Sequence, residues 1–372
     1  MQVGVVAIGL VLTGGGIASA GSPAAPVPSG SPAEGPSGRI AYTFGVPGTD
    51  AHVFTMAPDG TDVIQVTTFD SDYSVWSPDS TRLAVPQARS DGLVTTTVIG
   101  WDGSDPKTRP LPVDGSLNLA PAAWSPEGAT LAFEGWSDAE PATNGIYAGT
   151  PTGEDLIRVT TVPQPGAHDV PIAYSPDAGS LLVLRLPAFA DYGELYVMSA
   201  DGSDLRRLTT EGQRMWLNSF NVPASWSPDG TFIAYTAFEG PEGRSATFVV
   251  SASGGDPVQV SEWGSYDTGV RFSPDGQWVL YDMAVTGEQH DLFIVHPDGS
   301  NRTRLTNPQT TGMGSCCGTW APDGQSVLFQ AGPDSAAQLW TVSIDGTGSR
   351  QLTTKPGEYG GYAWAATASA QP

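Results

Sequence analysis

Four histidines, two cysteines and 39 acidic residues are the raw material for any chemistry in this chain. His52, His168, His290 and His296 are dispersed, without H-E-x-x-H or another paired spacing that would put two imidazoles on one zinc ion. No G-x-S-x-G nucleophile elbow occurs, and the chain ends at Pro372 without length for a hydrolase domain, so peptidase chemistry is not expected. His296 precedes a Pro-Asp-Gly turn and is expected at solvent, whereas His168-Asp169 is expected in a loop leading into a strand. Cys316 and Cys317 are adjacent, and in an exported protein thiols tend to be oxidised. They can join only through a small strained ring of the kind that marks ligand or switch sites, the alternatives being reduced thiols or a bridge that merely stiffens the loop. Asp201-Gly202-Ser203-Asp204 and Asp102-Gly103-Ser104-Asp105 offer clustered oxygens, but Asp-Gly recurs wherever a hairpin needs it and neither stretch matches the calcium loop. A Ca²⁺ or another divalent metal is expected, if anywhere, between carboxylates gathered from several loops; otherwise no cofactor is expected.

Positioning these residues falls to a repeat. An aromatic residue followed by Ser-Pro-Asp-Gly, or a close variant, recurs at Trp76, Trp124, Tyr174, Trp226, Phe272 and Trp320, with a degenerate copy at Trp364. The intervals of 48, 50, 52, 46, 48 and 44 residues each admit four short strands and their turns. Ser-Pro-Asp-Gly fits a type I turn, because proline presets φ at the second position, serine accepts backbone hydrogen bonds at the first and glycine suits the fourth. Short apolar runs follow, such as Phe232–Tyr235, Trp278–Tyr281 and Ser326–Phe329, as expected of strands buried on both faces. Third segments, such as Glu194–Met198 and Asp291–Val295, run into Asp-Gly hairpins. Arg-Leu-Thr pieces such as Arg207–Thr209 are polar enough for an outer edge strand.

Four-stranded antiparallel units at this spacing predict an all-β, seven-bladed β-propeller over residues 39–366, followed by a tail at 367–372. The first unit, opening at Arg39-Ile40-Ala41-Tyr42, has no first strand, while Tyr362-Ala363-Trp364 is a first strand with nothing after it. The C-terminal strand is therefore expected to join the N-terminal three and close the ring.

Sixteen basic against 39 acidic residues give a formal charge of −23, which repels nucleic acid and anionic membrane surfaces and excludes DNA and RNA as partners. The 46 Gly and 32 Pro, about one residue in five, exclude a long-helix protein. Residues 1–20 run apolar from Val3 to Leu12 and end in Ala18-Ser19-Ala20, the pattern of a signal-peptidase site, although no Lys or Arg precedes Arg39. Residues 21–38, rich in Pro, Gly, Ser and Ala, are read as an extended spacer. A monomer at the periplasmic or extracellular side of the cell envelope is expected, without a transmembrane span in the mature chain.

The recurring W-S-P-D-G, I-A-(F/Y), (I/L)-(Y/F)-x-(M/V)-x-x-D-G and R-x-L-T segments resemble the TolB-like propeller repeats, relatives of the WD repeats, over about residues 39 to 366. TolB itself carries an α/β domain ahead of six blades and acts through protein contacts, whereas seven units are counted here. The resemblance implies the fold, and members of the broader family serve as binding platforms, as substrate-gating modules of prolyl-oligopeptidase-like peptidases and, in a few cases, as sugar lyases.

In a propeller the loops joining fourth to first strands converge with the second-to-third hairpins on one face. That face would gather Asp72, Tyr73, His168, Asp169, Trp216 and Trp263, together with Tyr266, Asp267, Cys316, Cys317 and Tyr359. Aromatics and carboxylates at a concave mouth suit a sugar, a peptide or a cationic group. The expected function is a binding platform for a protein, peptide or carbohydrate partner, without catalytic machinery. A metal-assisted polysaccharide lyase using His168 and mouth carboxylates, and a structural envelope scaffold working through its acidic rim, are the alternatives.

Overall fold

The computed structural model describes residues 38–111, 116–153, 155–216, 224–239, 244–265, 269–286, 289–307, 314–332 and 336–365. The expected signal peptide, the spacer up to residue 37, the tail at 367–372, and Tyr266 and Asp267 lie outside the described residues. No helix among the described residues is long and apolar enough to cross a membrane.

Seven antiparallel sheets form the blades, numbered 1 to 7 here from the N-terminus, with the first strand of each innermost. Blade 1 orders Glu358–Trp364, Ile40–Gly45, His52–Met56 and Ile64–Gln65, so the C-terminal strand completes the N-terminal three as the pattern predicts. Its register runs from Ile40 opposite Trp364 to Gly45 opposite Glu358. The other blades take their four strands in chain order, blade 6 for instance as Val270–Phe272, Val279–Thr286, Gln289–Val295 and Thr303–Arg304. Blades 4 and 5 each gain a two-residue fifth strand, Met215–Trp216 and Gly264–Ser265, on the far end of their third strands.

The apolar runs have a simple cause. Successive side chains of a strand point to opposite faces, and each blade is covered on both faces by its neighbours. In blade 4, Leu181 and Val183 pack with Ala132 and Ile146 of blade 3, while Leu182 and Leu184 pack with Ile233 and Tyr235 of blade 5. In blade 7, Val327 and Phe329 meet Leu280 and Leu292 of blade 6, and Leu328 meets Ile40 and Tyr42 of blade 1. The core is thus a ring of inter-blade clusters.

The repeated turn is a small hydrogen-bonded device. Ser227 Oγ donates to Asp229 Oδ1 at 2.6 Å and accepts the amide of Phe232 at 2.9 Å, tying the turn to the start of the second strand. Ser175 and Ser273 do the same in blades 4 and 6. The turns also touch each other around the ring, since the place a Cβ would take on Gly276 lies 3.3 Å from the ring of Pro228 in the preceding blade. Blade 7 has Ala321 in place of the serine.

The aromatic ahead of the turn stitches neighbouring blades. Trp124 Nε1 donates to Val75 O at 3.1 Å, Trp226 to Ala173 O at 3.3 Å and Trp320 to Arg271 O at 3.2 Å, each on the first strand of the preceding blade. At the closure Trp76 reaches Ala363 O at 3.2 Å, and Trp364 donates to Gly38 O.

The outer strands are shorter than expected. In blade 4 the fourth strand is Arg206–Arg207 and stops before the Leu-Thr that the sequence suggested as part of it. Leu208 and Thr209 turn inward and are buried. The threonines equivalent to Thr209 explain why: Thr67, Thr306 and Thr353 accept the amides of Val53, Leu292 and Leu339 at 2.9, 2.9 and 3.0 Å, satisfying third-strand donors beside the two-residue ladder.

Two outcomes check this account. Ser227→Ala should destabilise by about 1–3 kcal/mol, because the Phe232 amide and Asp229 lose their shared partner, while Ala321→Ser should hold or raise the melting temperature; equal effects of both changes would contradict it. A chain ending at Tyr359 should lose its single cooperative melting transition or melt far lower, and an unchanged melting temperature would refute closure by the C-terminal strand.

Candidate functional site

The fourth-to-first loops and second-to-third hairpins lie on the face opposite the Ser-Pro-Asp-Gly turns. On that face, at the seam where blades 7, 1 and 2 meet, is a cavity of about 420 Å³. Its walls include Thr43, Asp72, Cys317, Gln330, Glu358 and Tyr359, and the hairpin Val46–Thr49. Three residues chosen from sequence, Asp72, Cys317 and Tyr359, are therefore brought together. Burial, and then the neighbouring Asp70 carboxylate, push the Asp72 carboxyl above its ordinary value.

Tyr359 contributes less side chain than expected. It lies inside the first strand of blade 1, is 7% exposed, and packs on Phe44 with ring centroids 4.8 Å apart, because its parity in the strand turns it to the inter-blade core. Cys316 and Cys317 are joined as a vicinal disulfide. Cys317 has φ +66°, in the left-handed region, at a bulge where the register shifts between Cys316 and Thr319. Both backbone carbonyls are turned to the hydroxyl of Tyr362, which donates to Cys317 O at 2.7 Å and approaches Cys316 O at 3.4 Å. Burial raises the Tyr362 pKa, with the Asp282 carboxylate of blade 6 adding to it, and burial also lowers that of Arg271, the basic neighbour of Tyr362.

The remaining predicted residues stand elsewhere. Tyr73 donates to Pro121 O at 2.9 Å on the first strand of blade 3, so its polar end is tied up between blades. His168 and Asp169 open the first strand of blade 4, His168–Tyr174, and are buried rather than held in a loop. Asp169 forms a two-pronged ion pair with Arg185, at 2.7 and 2.8 Å, and is engaged in structure. His168 Nδ1 lies 3.4 Å from Glu134 Oε1 of blade 3, with Asn144 Nδ2 3.4 Å from its other ring nitrogen. Trp216, 44% exposed, stacks on Phe238 at 4.8 Å and meets Tyr192 edge-on at 5.8 Å, outboard on blades 4 and 5. Trp263 is partly buried against Phe248 at 5.8 Å. His296, expected at solvent, is half-buried edge-on to Trp278 at 4.2 Å.

The Asp-Gly stretches are hairpin chemistry. Asp201 Oδ1 accepts the amide and hydroxyl of Ser203 at 2.9 and 2.6 Å, which holds its carboxyl below the ordinary range, and Asp102 accepts the amide of Ser104 at 3.0 Å. Among the described residues no three His, Cys, Asp or Glu side chains gather as metal ligands.

Glu134, Asp282 and Gln330 were missed in the sequence reading, yet a signal was present. Each follows the aromatic of a second strand, in Phe133-Glu134, Tyr281-Asp282 and Phe329-Gln330, and is a polar residue in an apolar run. Thr43, after Tyr42, is the blade 1 equivalent. This position faces the loop end of the propeller, which is why it tolerates polar groups that the rest of the strand excludes.

Comparison with known proteins agrees with the architecture. Among curated proteins, the chain is 29% identical over 131 residues to dipeptidyl-peptidase 5 of Porphyromonas endodontalis, a match over 31% of this chain and 18% of that protein, so the similarity spans under a fifth of the relative's length. Among solved structures it is similar to TolB from Acinetobacter baumannii, with TM-score 0.54 and 19% identity over 89% of this chain and 67% of that one. It is also similar to an oligogalacturonate lyase in complex with manganese, with TM-score 0.60 and 12% identity over 82% and 85%. At these identities the structural likeness is one of fold. The model of the TolB beta propeller domain matches residues 98–368, most of the chain, and the protein belongs to that family.

Proposed function

We propose that this propeller is an exported, non-catalytic binding platform of the cell envelope, and that its protein, peptide or carbohydrate partner docks on the loop face at the seam of blades 7, 1 and 2. One observation carries the reading: residues far apart in sequence, Thr43, Asp72, Cys317 and Glu358, wall a single cavity on the face to which propeller loops converge. The apolar start of the chain, ending in Ala18-Ser19-Ala20, supports export.

A divalent metal serving lyase chemistry is the second reading, favoured by Glu134. Its side chain is 1% exposed, neither carboxylate oxygen has a hydrogen-bond partner among the described residues, and His168 Nδ1 is 3.4 Å away. An imidazole and a carboxylate at that separation suit a borderline ion such as Zn²⁺. They are two donors where catalytic zinc sites supply three protein ligands, so the fit is partial.

A photoreactive p-benzoylphenylalanine at Glu358 should form adducts in envelope extract, whereas the same group at Val258, exposed on the outer strand of blade 5, should not. Equal labelling from both positions would overturn docking at the mouth and favour a scaffold held by its rim. Elemental analysis of the purified protein should find no stoichiometric divalent metal, and a chelator should leave the melting temperature unchanged. A bound metal that disappears in Glu134→Gln would promote the lyase reading.

A further inference from the structure

We propose that the seam cavity recognises a protonated nitrogen, a primary ammonium on its ligand, held between the carboxylates of Asp72 and Glu358. The proposal rests on the reading of this face as the docking face and adds the chemical group it selects.

The argument is a count of hydrogen-bond donors and acceptors on the cavity walls. The side-chain donors, apart from the Thr43 hydroxyl, are already engaged within the protein. Gln330 Nε2 donates to Tyr359 O at 3.1 Å, the Thr49 hydroxyl to Val46 O at 2.8 Å, the Tyr359 hydroxyl to Lys355 O at 3.1 Å and the Tyr362 hydroxyl to Cys317 O at 2.7 Å. The acceptors are left over. Among the described residues, the carboxylates of Asp72 and Glu358 and the side-chain oxygen of Gln330 have no hydrogen-bond or ion-pair partner. Among the described residues, no lysine, arginine or histidine lines the cavity. Lys355, the cation on the segment leading into the same strand, is engaged over the Phe44 ring with Nζ 4.3 Å from its centroid.

A wall with three free side-chain acceptors and one uncommitted hydroxyl selects a donor, and with two carboxylates it selects a charged one, because charge-assisted hydrogen bonds are roughly twice as strong as neutral ones. An anionic ligand would meet two like charges and no counter-charge. A sugar hydroxyl would supply a donor but leave both charges uncompensated. Asp72 is the anchor, since it is the more buried of the two and burial already disfavours its ionised form. An arriving cation reverses that penalty. Glu358 is exposed and acts as the outer partner. A cavity of about 420 Å³ holds more than an ammonium group and takes in part of the chain that bears it. A free alkylamine and the amino group of a peptide present the same recognised atom, and the test separates them.

The full mature chain would be titrated at fixed ionic strength with n-butylammonium, n-butanol, butyrate and methyl glucoside, following backbone amide resonances of Thr49, Gly360 and Gly361. Trialanine with a free and with an acetylated amino terminus forms the second arm. Butylammonium should move these resonances and the neutral and anionic probes should not. Asp72→Asn should weaken butylammonium binding by about tenfold or more, the loss of a hydrogen bond to a charged group, and the exposed Glu358→Gln, which leaves the fold untouched, by a smaller factor. Binding of free but not acetylated trialanine identifies a peptide terminus as the source; butylammonium without either peptide identifies a free amine. If butanol or methyl glucoside binds as well as butylammonium and Asp72→Asn changes nothing, ammonium selection is wrong while the docking face stands. If no probe moves any cavity resonance, the proposal falls, and cross-linking from Glu358 then decides separately whether the face docks a partner.

Discussion

Each blade has two apolar faces, and no blade can cover its own. That constraint governs the molecule: burying the alternate sides of a strand such as Ser180–Leu186 requires a neighbour on both sides, and for seven blades the arrangement that gives every blade two neighbours is a closed ring. Closure in turn requires a first strand from the far end of the chain. The indole bonds from one first strand to the next fix the spacing of the inner strands, and the same bond from Trp76 to Ala363 makes the closure equivalent to the other blade junctions.

Most of this was legible because it is local and repeated. An aromatic residue, Ser-Pro-Asp-Gly and a short apolar run state a strand, a turn and a doubly buried strand, and recurrence sets the blade count. The outer strands were overextended because Arg-Leu-Thr reads as a polar edge, while the burial of Leu208 and the capping role of the threonine depend on the neighbouring strand. His168 was assigned to a loop because spacing does not reveal that an imidazole beside a strand finds a buried carboxylate on another blade. The loop face was predicted as a set, but sequence could not sort residues that point into the mouth from those, like Tyr359 and Asp169, whose parity or ion pairing turns them inward. Glu134 illustrates the opposite case, where a polar residue in an apolar run was visible and its environment was not.

At the seam the backbones of blades 1 and 2 approach closely. The inner strand of blade 1 carries Gly360 and Gly361, and Gly361 has φ +50°, with the backbone of Asp72 only 2.7 Å from where a Cβ would stand. Opposite it, blade 7 has a bulge at the vicinal disulfide. The glycine lets the loop into blade 2 come against the inner strand of blade 1 backbone to backbone, and the cavity lies beside that contact.

The chain enters the ring at Gly38 and leaves it at Ala365, side by side. Ala365 donates to Arg39 O at 2.8 Å and Trp364 to Gly38 O, both on the side of the Ser-Pro-Asp-Gly turns and away from the cavity. Any tether attached at either end, whether a surface, a lipid or a fused domain, would hold the disc by its back and present the loop face outward. Length in such a tether would change the reach of the disc without changing which side it shows.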